Sequence, residues 1–336
     1  MSKDFAIDLF QKAYMTQVKK MRNKGLPDSE ILDKLKDVDF SDIFCKITRM
    51  MADDATEYME NTMYERVLEG RAQAAEFMAR NEQIWGKGFV ASEAMYIMVV
   101  ETAELYGEYL ETQNDDVFTG KENTLLALRE IHGRACQQFL EIIYLMKVGF
   151  ADGAYARWRS LYELSVIAQF ICDQGETVAT AFVSAYDSND NWYNWAKASG
   201  CFGTQKNIRF SDLQSKCCLN TQEWKRQYSL ANKIVHASPQ GTFGRLSNYT
   251  SCGATPVGHS DYGLSIPAEH SAISLSYITT LFLTLIPYGD GLVHIQSIHK
   301  WVEIIRKYYS DAENTCFSES NKPHTTRIDG TTVIED

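Results

Sequence analysis

Residues 154–171 read Ala-Tyr-Ala-Arg-Trp-Arg-Ser-Leu-Tyr-Glu-Leu-Ser-Val-Ile-Ala-Gln-Phe-Ile, and this stretch decides the fold. Leu161, Leu164, Ala168 and Ile171 recur at helical spacing and mark a stripe that faces a core. Asp152-Gly153 supplies a start and Asp173-Gln174-Gly175 a stop. Arg159 and Glu163 stand four apart, so they share a face one turn apart. Tyr155 and Val166 lie on that face too, so it is no plain solvent face. Two opposite charges among aromatics point either to an ion pair between helices or to an anion site. Arg157 and Arg159 suit the second role, because a guanidinium fork binds two oxygens at once.

The same periodicity extends outward in both directions. Residues 4–24 form an amphipathic pattern, and a short helix carries Ile31, Leu32 and Leu35. From Ser41 to Trp85 there is no proline and only Gly70, which predicts a long helix or a helical hairpin. Gly86-Lys87-Gly88 is expected to break it before a further helix at 90–110. Asn114 to Gly120 reads as a linker. Helices are expected at 123–147, 176–198, 221–235, 268–287 and 291–309. A connector rich in Gly and Pro spans 238–268, a length that is functional or mobile in compact domains. The fold class is all-α: a helical bundle with a long Gly/Pro-rich connector, preceded by long N-terminal helices. Three regions follow: 1–120 for interaction, 121–310 as the bundle, and 311–336 as a polar tail expected to be disordered.

Composition narrows the function classes. The chain has 336 residues, 45% of them hydrophobic, enough for a substantial core. A formal charge of −11 gives no global field toward nucleic acid or anionic membrane, so RNA would need a local basic pocket. The 8 cysteines form no Cys-x-x-Cys clip, which points to a reducing, cytoplasmic setting with no structural metal. The N-terminus, with acids and a short apolar run, does not read as a signal peptide. Ser271 to Gly289 carries no charge and approaches the roughly 20 residues of a membrane span. Its many hydroxyls and Pro287 favour a buried helix, so no membrane partner is expected. No phosphate loop, dinucleotide motif or zinc-protease motif occurs, and no cofactor is expected.

Further candidates lie downstream. His236 ends a helix just before Ser238-Pro239, where it could cap the helix or act as a general acid or base. Asn232 is one turn earlier on the same face. Asp187, Asp190, Asn191, Trp192 and Trp195 gather acids, amides and stacking rings. His259-Ser260-Asp261 has triad-type residues, although a triad is spatial rather than sequential.

Three motifs in order carry a family resemblance: Arg159-Ser160-Leu161-x-Glu163, then Val235-His236-Ala237-Ser238, then Tyr262-Gly263-Leu264-x-x-Pro267. Together they resemble the bacterial domain-of-unknown-function family numbered fifty-six seventy-seven, over residues 122–310. That resemblance implies a helical domain and no agreed activity. A looser likeness is to HEPN domains, helical bundles that are often dimeric, many of them metal-independent ribonucleases of toxin and phage-defence systems. Their Arg-Asn-x-x-x-His signature is matched here by Asn232 and His236, with Ala231 at the arginine position. The resemblance implies an RNA-targeting effector with Asn232 and His236 catalytic; Arg159, with Glu163, would join them in place of the arginine absent at Ala231 if its helix packs beside theirs. Arg157, Trp192, Trp195, Ser238 and Tyr262 would bind ligand. Two other readings stand beside it: a non-enzymatic module that binds a protein partner or dimerises through its N-terminal helices, and a nucleotide or small-ligand sensor built on Trp192 and Trp195.

Overall fold

The computed structural model describes residues 5–187, 192–219, 221–236, 238–247 and 257–317. Eleven α-helices account for most of them, and the described residues contain no strand. They are α1 (Phe5–Asn23), α2 (Asp28–Lys36), α3 (Ser41–Glu111), α4 (Glu122–Lys147), α5 (Ala151–Gln174) and α6 (Glu176–Ser184). After these come α7 (Phe210–Gln214), α8 (Gln222–Val235), α9 (Pro239–Phe243), α10 (Ser265–Thr284) and α11 (Gly289–Cys316). The fold is all-α, as the periodicities require.

Packing divides the chain into two compact units, residues 1–73 and 74–336. The division falls inside α3, whereas the linker read from the sequence near residue 120 is the turn between α3 and α4. The first unit holds α1, α2 and the start of α3. Its small core buries Ile31 and Leu35, and Phe10, Tyr14, Phe40 and Phe44 cluster by their rings.

The second unit is built on the helical hairpin of α4 and α5, against which α10 packs, with α11 laid on α10. The C-terminal part of α3 adds Trp85, Phe89, Met95, Val99 and Tyr106 to this core. Glu176 caps α4 from another helix. Its carboxylate accepts from the backbone N–H groups of Asn123 at 2.8 Å and Thr124 at 3.0 Å. These bonds outweigh burial and hold the carboxyl below its ordinary range.

The break expected at Gly86-Lys87-Gly88 does not occur, and α3 runs through it for 71 residues. A glycine inside a helix costs only about 1 kcal/mol, and burial of Trp85 and Phe89 offsets it. Gly88 answers a packing demand instead: a Cβ there would stand 2.8 Å from the Tyr309 ring of α11.

Three other boundaries move. The helix expected to reach 198 stops at Ser184, and short 3-10 helices follow at Ala185–Asp187 and Asn194–Ser199. The connector contains the short helix α9, and α10 begins at Ser265. The last helix continues to Cys316, so the tail expected from 311 is helical over its first residues; the rest of it lies outside the described residues.

The charge-free stretch from Ser271 lies in α10, a core helix. Two of its buried hydroxyls are satisfied locally, Ser271 donating to the Ala268 carbonyl at 3.0 Å and Thr279 to that of Leu275 at 2.8 Å. Among the described residues no helix is long and apolar enough to cross a membrane.

Candidate functional site

The seam between α5 and α8 carries the polar residues singled out by sequence. Its frame is a column of rings. Tyr155 stacks on Trp158 at 5.0 Å, Trp158 on Trp224 at 6.1 Å, and Trp224 on Tyr162 at 5.3 Å. The Tyr155 hydroxyl donates to the Gln227 carbonyl of α8 at 2.9 Å, which pins the helices together.

Arg159, Glu163 and Tyr228 close a triangle on this frame. Arg159 Nη2 lies 2.9 Å from Glu163 Oε1 and donates to the Tyr228 hydroxyl at 3.3 Å. That hydroxyl donates to Glu163 Oε1 at 2.6 Å. The guanidinium also sits over the Tyr228 ring, 5.5 Å from its centroid. Burial opposes the charge on Arg159, yet the Tyr228 bond and the Glu163 charge outweigh it and raise its pKa. Burial, then Glu163, pushes the Tyr228 phenol well up, so it stays a donor. The side chains of Arg159 and Glu163 are 27% and 19% exposed, half inside the seam. Arg157 points elsewhere and pairs with Glu141 of α4.

The structure therefore brings Arg159 and Glu163 together, and adds Tyr228. Asn232 is one turn further along α8, and its Oδ1 is buried with no hydrogen-bond partner among the described residues. Arg159 Nε is in the same condition. His236 is exposed, forms the C-cap of α8, and donates its backbone N–H to the Asn232 carbonyl at 3.0 Å. It follows Tyr228 by eight residues, about 12 Å along the helix axis. Arg159 is held at the Tyr228 end of that interval. Ala231, at the signature's arginine position, is fully buried. Ser238 is the N-cap of α9, its hydroxyl accepting from the Gly241 N–H at 3.1 Å. Tyr262 packs edge-on against Phe317, 5.3 Å away.

His259-Ser260-Asp261 does not form a triad. The His259 ring meets the Val148 carbonyl at 2.6 Å, Ser260 Oγ donates to the Ser247 carbonyl, and the Asp261 carbonyl accepts from Trp85 Nε1. These bonds strap the connector over the α4–α5 turn. Trp192 and Trp195 line a cleft of about 670 Å³ with Phe182, Tyr186, Tyr193 and Glu130. Asp190 and Asn191 of that candidate group lie outside the described residues. No cluster of three or more metal-type side chains occurs among the described residues.

One buried polar group escaped the sequence reading. His132 of α4 lies on the floor of the unit, its Nε2 3.1 Å from Thr279 Oγ1 and its ring stacked on Phe282 at 5.0 Å. Thr279 gives its own proton to Leu275, so the imidazole proton sits on Nε2. Burial lowers its pKa to about 4 and raises that of neighbouring Cys136 to about 12. The i,i+4 spacing of His132 and Cys136 on an apolar face was the available signal.

These features define an all-α bundle whose α4–α5 hairpin anchors a polar seam. Residues 125–196 match a family of unknown function, DUF5677, the family that the three motifs resemble. The match covers α4, α5 and α6 and includes Arg157, Arg159, Glu163, Trp192 and Trp195. Asn232, His236, Ser238 and Tyr262 lie beyond it. No curated protein and no solved structure matches the chain.

Proposed function

We propose that the chain is a non-enzymatic helical module that binds a protein partner through its N-terminal helices. One observation carries this reading. From Thr56 to Gln73 every residue of α3 is exposed except the half-buried Thr62. That stretch includes Tyr58, Met59, Met63, Tyr64, Val67 and Leu68, with Tyr64 at 70% and Met63 at 58%. Helices owe most of their stability to packing of an apolar face, and contiguous exposed apolar surface marks interaction sites. In the seam, Arg159 acts as a structural cation that joins α5 to α8.

The test is sedimentation of the full chain in native extract. The wild type is expected to run well above its 38.2 kDa chain mass, and Met63→Glu with Val67→Glu to return to it with unchanged helicity. A wild type already at the chain mass overturns the reading.

Two other readings each draw on an observation. The orphaned Arg159 Nε and Asn232 Oδ1 favour an RNA-targeting effector, in which a phosphate would engage the arginine. Metal-free RNA cleavage that disappears in a folded His236→Ala variant supports it, and cleavage that survives sinks it. The aromatic cleft around Trp192 and Trp195 favours a sensor of planar ligands. A thermal-shift panel of nucleotides with no response would argue against that.

A further inference from the structure

The cleft beside Trp192 and Trp195 is built from rings and one carboxylate. It encloses about 670 Å³, with α4 on one side and α6 and the turns after it on the other. Phe182, Tyr186, Trp192, Tyr193 and Trp195 supply its rings. Trp195 is fixed by the core, edge-on to Phe182 at 5.0 Å and to Phe170 of α5 at 6.0 Å. Tyr193 is fixed by its backbone N–H, which donates to the Ile208 carbonyl at 3.0 Å, and by its ring, 6.1 Å from Phe210. Tyr186 and Trp192, 91% and 42% exposed, stand at the mouth. The described lining residues all fall between Leu126 and Trp195, so neither α8 nor the N-terminal helices take part in the cleft.

Its charge is one-sided. Glu130 of α4 is the only charged side chain among the described residues that line the cleft. Arg129 engages Glu130 Oε1 at 3.1 Å, but both partners are exposed, and such surface pairs are weak. Arg129 itself lines a separate cleft between α3 and α4, and Glu130 Oε2 takes no bond among the described residues. Lys197, two residues beyond Trp195, is turned to the Lys206 carbonyl at 2.6 Å. An aromatic ring presents a negative face, so rings set at 75°, as Phe182 and Trp195 are, form a corner that attracts a cation. A phosphate or carboxylate would meet no base among the described lining residues and would face Glu130. A primary ammonium would bring three N–H donors to a site with few acceptors, whereas a quaternary ammonium brings none. The volume lies within the range of small-molecule sites and exceeds a bare trimethylammonium group, so the ligand carries an apolar body as well. The larger α3–α4 cleft, about 770 Å³, sets Glu104 and Glu111 against Arg129, and its mixed charge selects no ligand class.

We infer that this cleft binds a quaternary ammonium ion with an aromatic body, the cationic head against the rings and Glu130 and the body stacked along the cleft. The site is separate from partner binding through α3, and it narrows the planar-ligand reading of the cleft to cations. Nucleotides carry the wrong sign of charge, so a silent nucleotide panel is the expected result here.

Isothermal titration calorimetry on the full chain tests it with three probes that share one ring body: benzyltrimethylammonium, neutral benzyl alcohol and anionic phenylacetate. The cation is expected to bind one to one and about tenfold more tightly than either of the others. Trp192→Leu should weaken the cation about tenfold, and Glu130→Gln roughly threefold, each with unchanged circular dichroism. Glu104→Gln with Glu111→Gln, in the separate α3–α4 cleft, should leave its affinity as it is. No binding of the cation, equal binding of the alcohol or of phenylacetate, or an affinity unchanged in Trp192→Leu or in Glu130→Gln overturns the inference. Weakening by the Glu104 and Glu111 changes would do the same. Equal binding of the alcohol sinks the cation site and leaves a planar-ligand cleft, whereas three silent probes sink both. None of these results touches the sedimentation test, so partner binding stands or falls on its own.

Discussion

His132 should make the protein acid-sensitive in a way a single substitution removes. Its imidazole is 4% exposed, bonded through Nε2 to Thr279 and stacked on Phe282, so protonation has to occur in an apolar floor. The folded pKa is lowered to about 4 from an ordinary 6.5. Between those values the unfolded chain binds the proton and the folded chain does not. Stability from this group is therefore complete above about pH 6.5 and is lost as pH falls toward 4. At about 1.36 kcal/mol per pH unit, the whole interval is worth about 3 kcal/mol, and most of it is gone by about pH 4.5. Urea unfolding followed by circular dichroism at neutral and acid pH measures it. Carboxylates titrate in the same range, so the readout is the difference between wild type and His132→Gln, which leaves their contribution in common. The variant is expected to be less stable at neutral pH and to lose about 2–3 kcal/mol less on acidification. Equal acid losses in the two proteins would refute the burial argument.

Other substitutions probe single features. Gly149 adopts φ +77°, and a Cβ there would stand 2.6 Å from the Phe77 ring and 2.7 Å from the Ser260 carbonyl; Gly149→Ala should destabilise by more than about 2 kcal/mol, read from the urea midpoint. Four residues on, Gly153 meets only ordinary contacts at 3.6 Å inside α5, so Gly153→Ala should stabilise by roughly 0.5–1 kcal/mol in the same assay. Tyr228→Phe takes from Glu163 its hydroxyl donor at 2.6 Å and should cost about 1–2 kcal/mol; a change under about 0.5 kcal/mol would show that the Arg159 contact alone satisfies the carboxylate. Asn232→Leu removes an amide oxygen that finds no partner, so its melting temperature should hold or rise, and a large fall would mean the amide is bonded.

Much of the fold was legible because the helices of the bundle carry strong periodicity and clear ends. The α5 stripe, its stop at Gly175 and the Thr221 cap of α8 follow from local rules. What failed was reading each glycine as local punctuation. Gly88 is set by Tyr309, more than two hundred residues away, and no local rule carries that information. The site divides the same way. The Arg159–Glu163 pair follows from spacing alone, whereas Tyr228 as its third member depends on how α8 lies on α5. His132 went unread because its partner, Thr279, lies 147 residues away, and the hydroxyls of that helix do not say which side chain they meet.

The close fit of Gly88 to Tyr309 also constrains how the sequence can drift. With tyrosine at 309, any side chain at 88 collides with a ring that Trp85 and Phe89 already hold. With a smaller residue at 309, the bar on alanine at 88 lifts. The two positions are coupled, so substitution effects there will not add. Change at 309 must come first in any viable path, and an alanine then fixed at 88 would make the return of tyrosine harmful. The pair acts as a ratchet on the joint between α3 and α11.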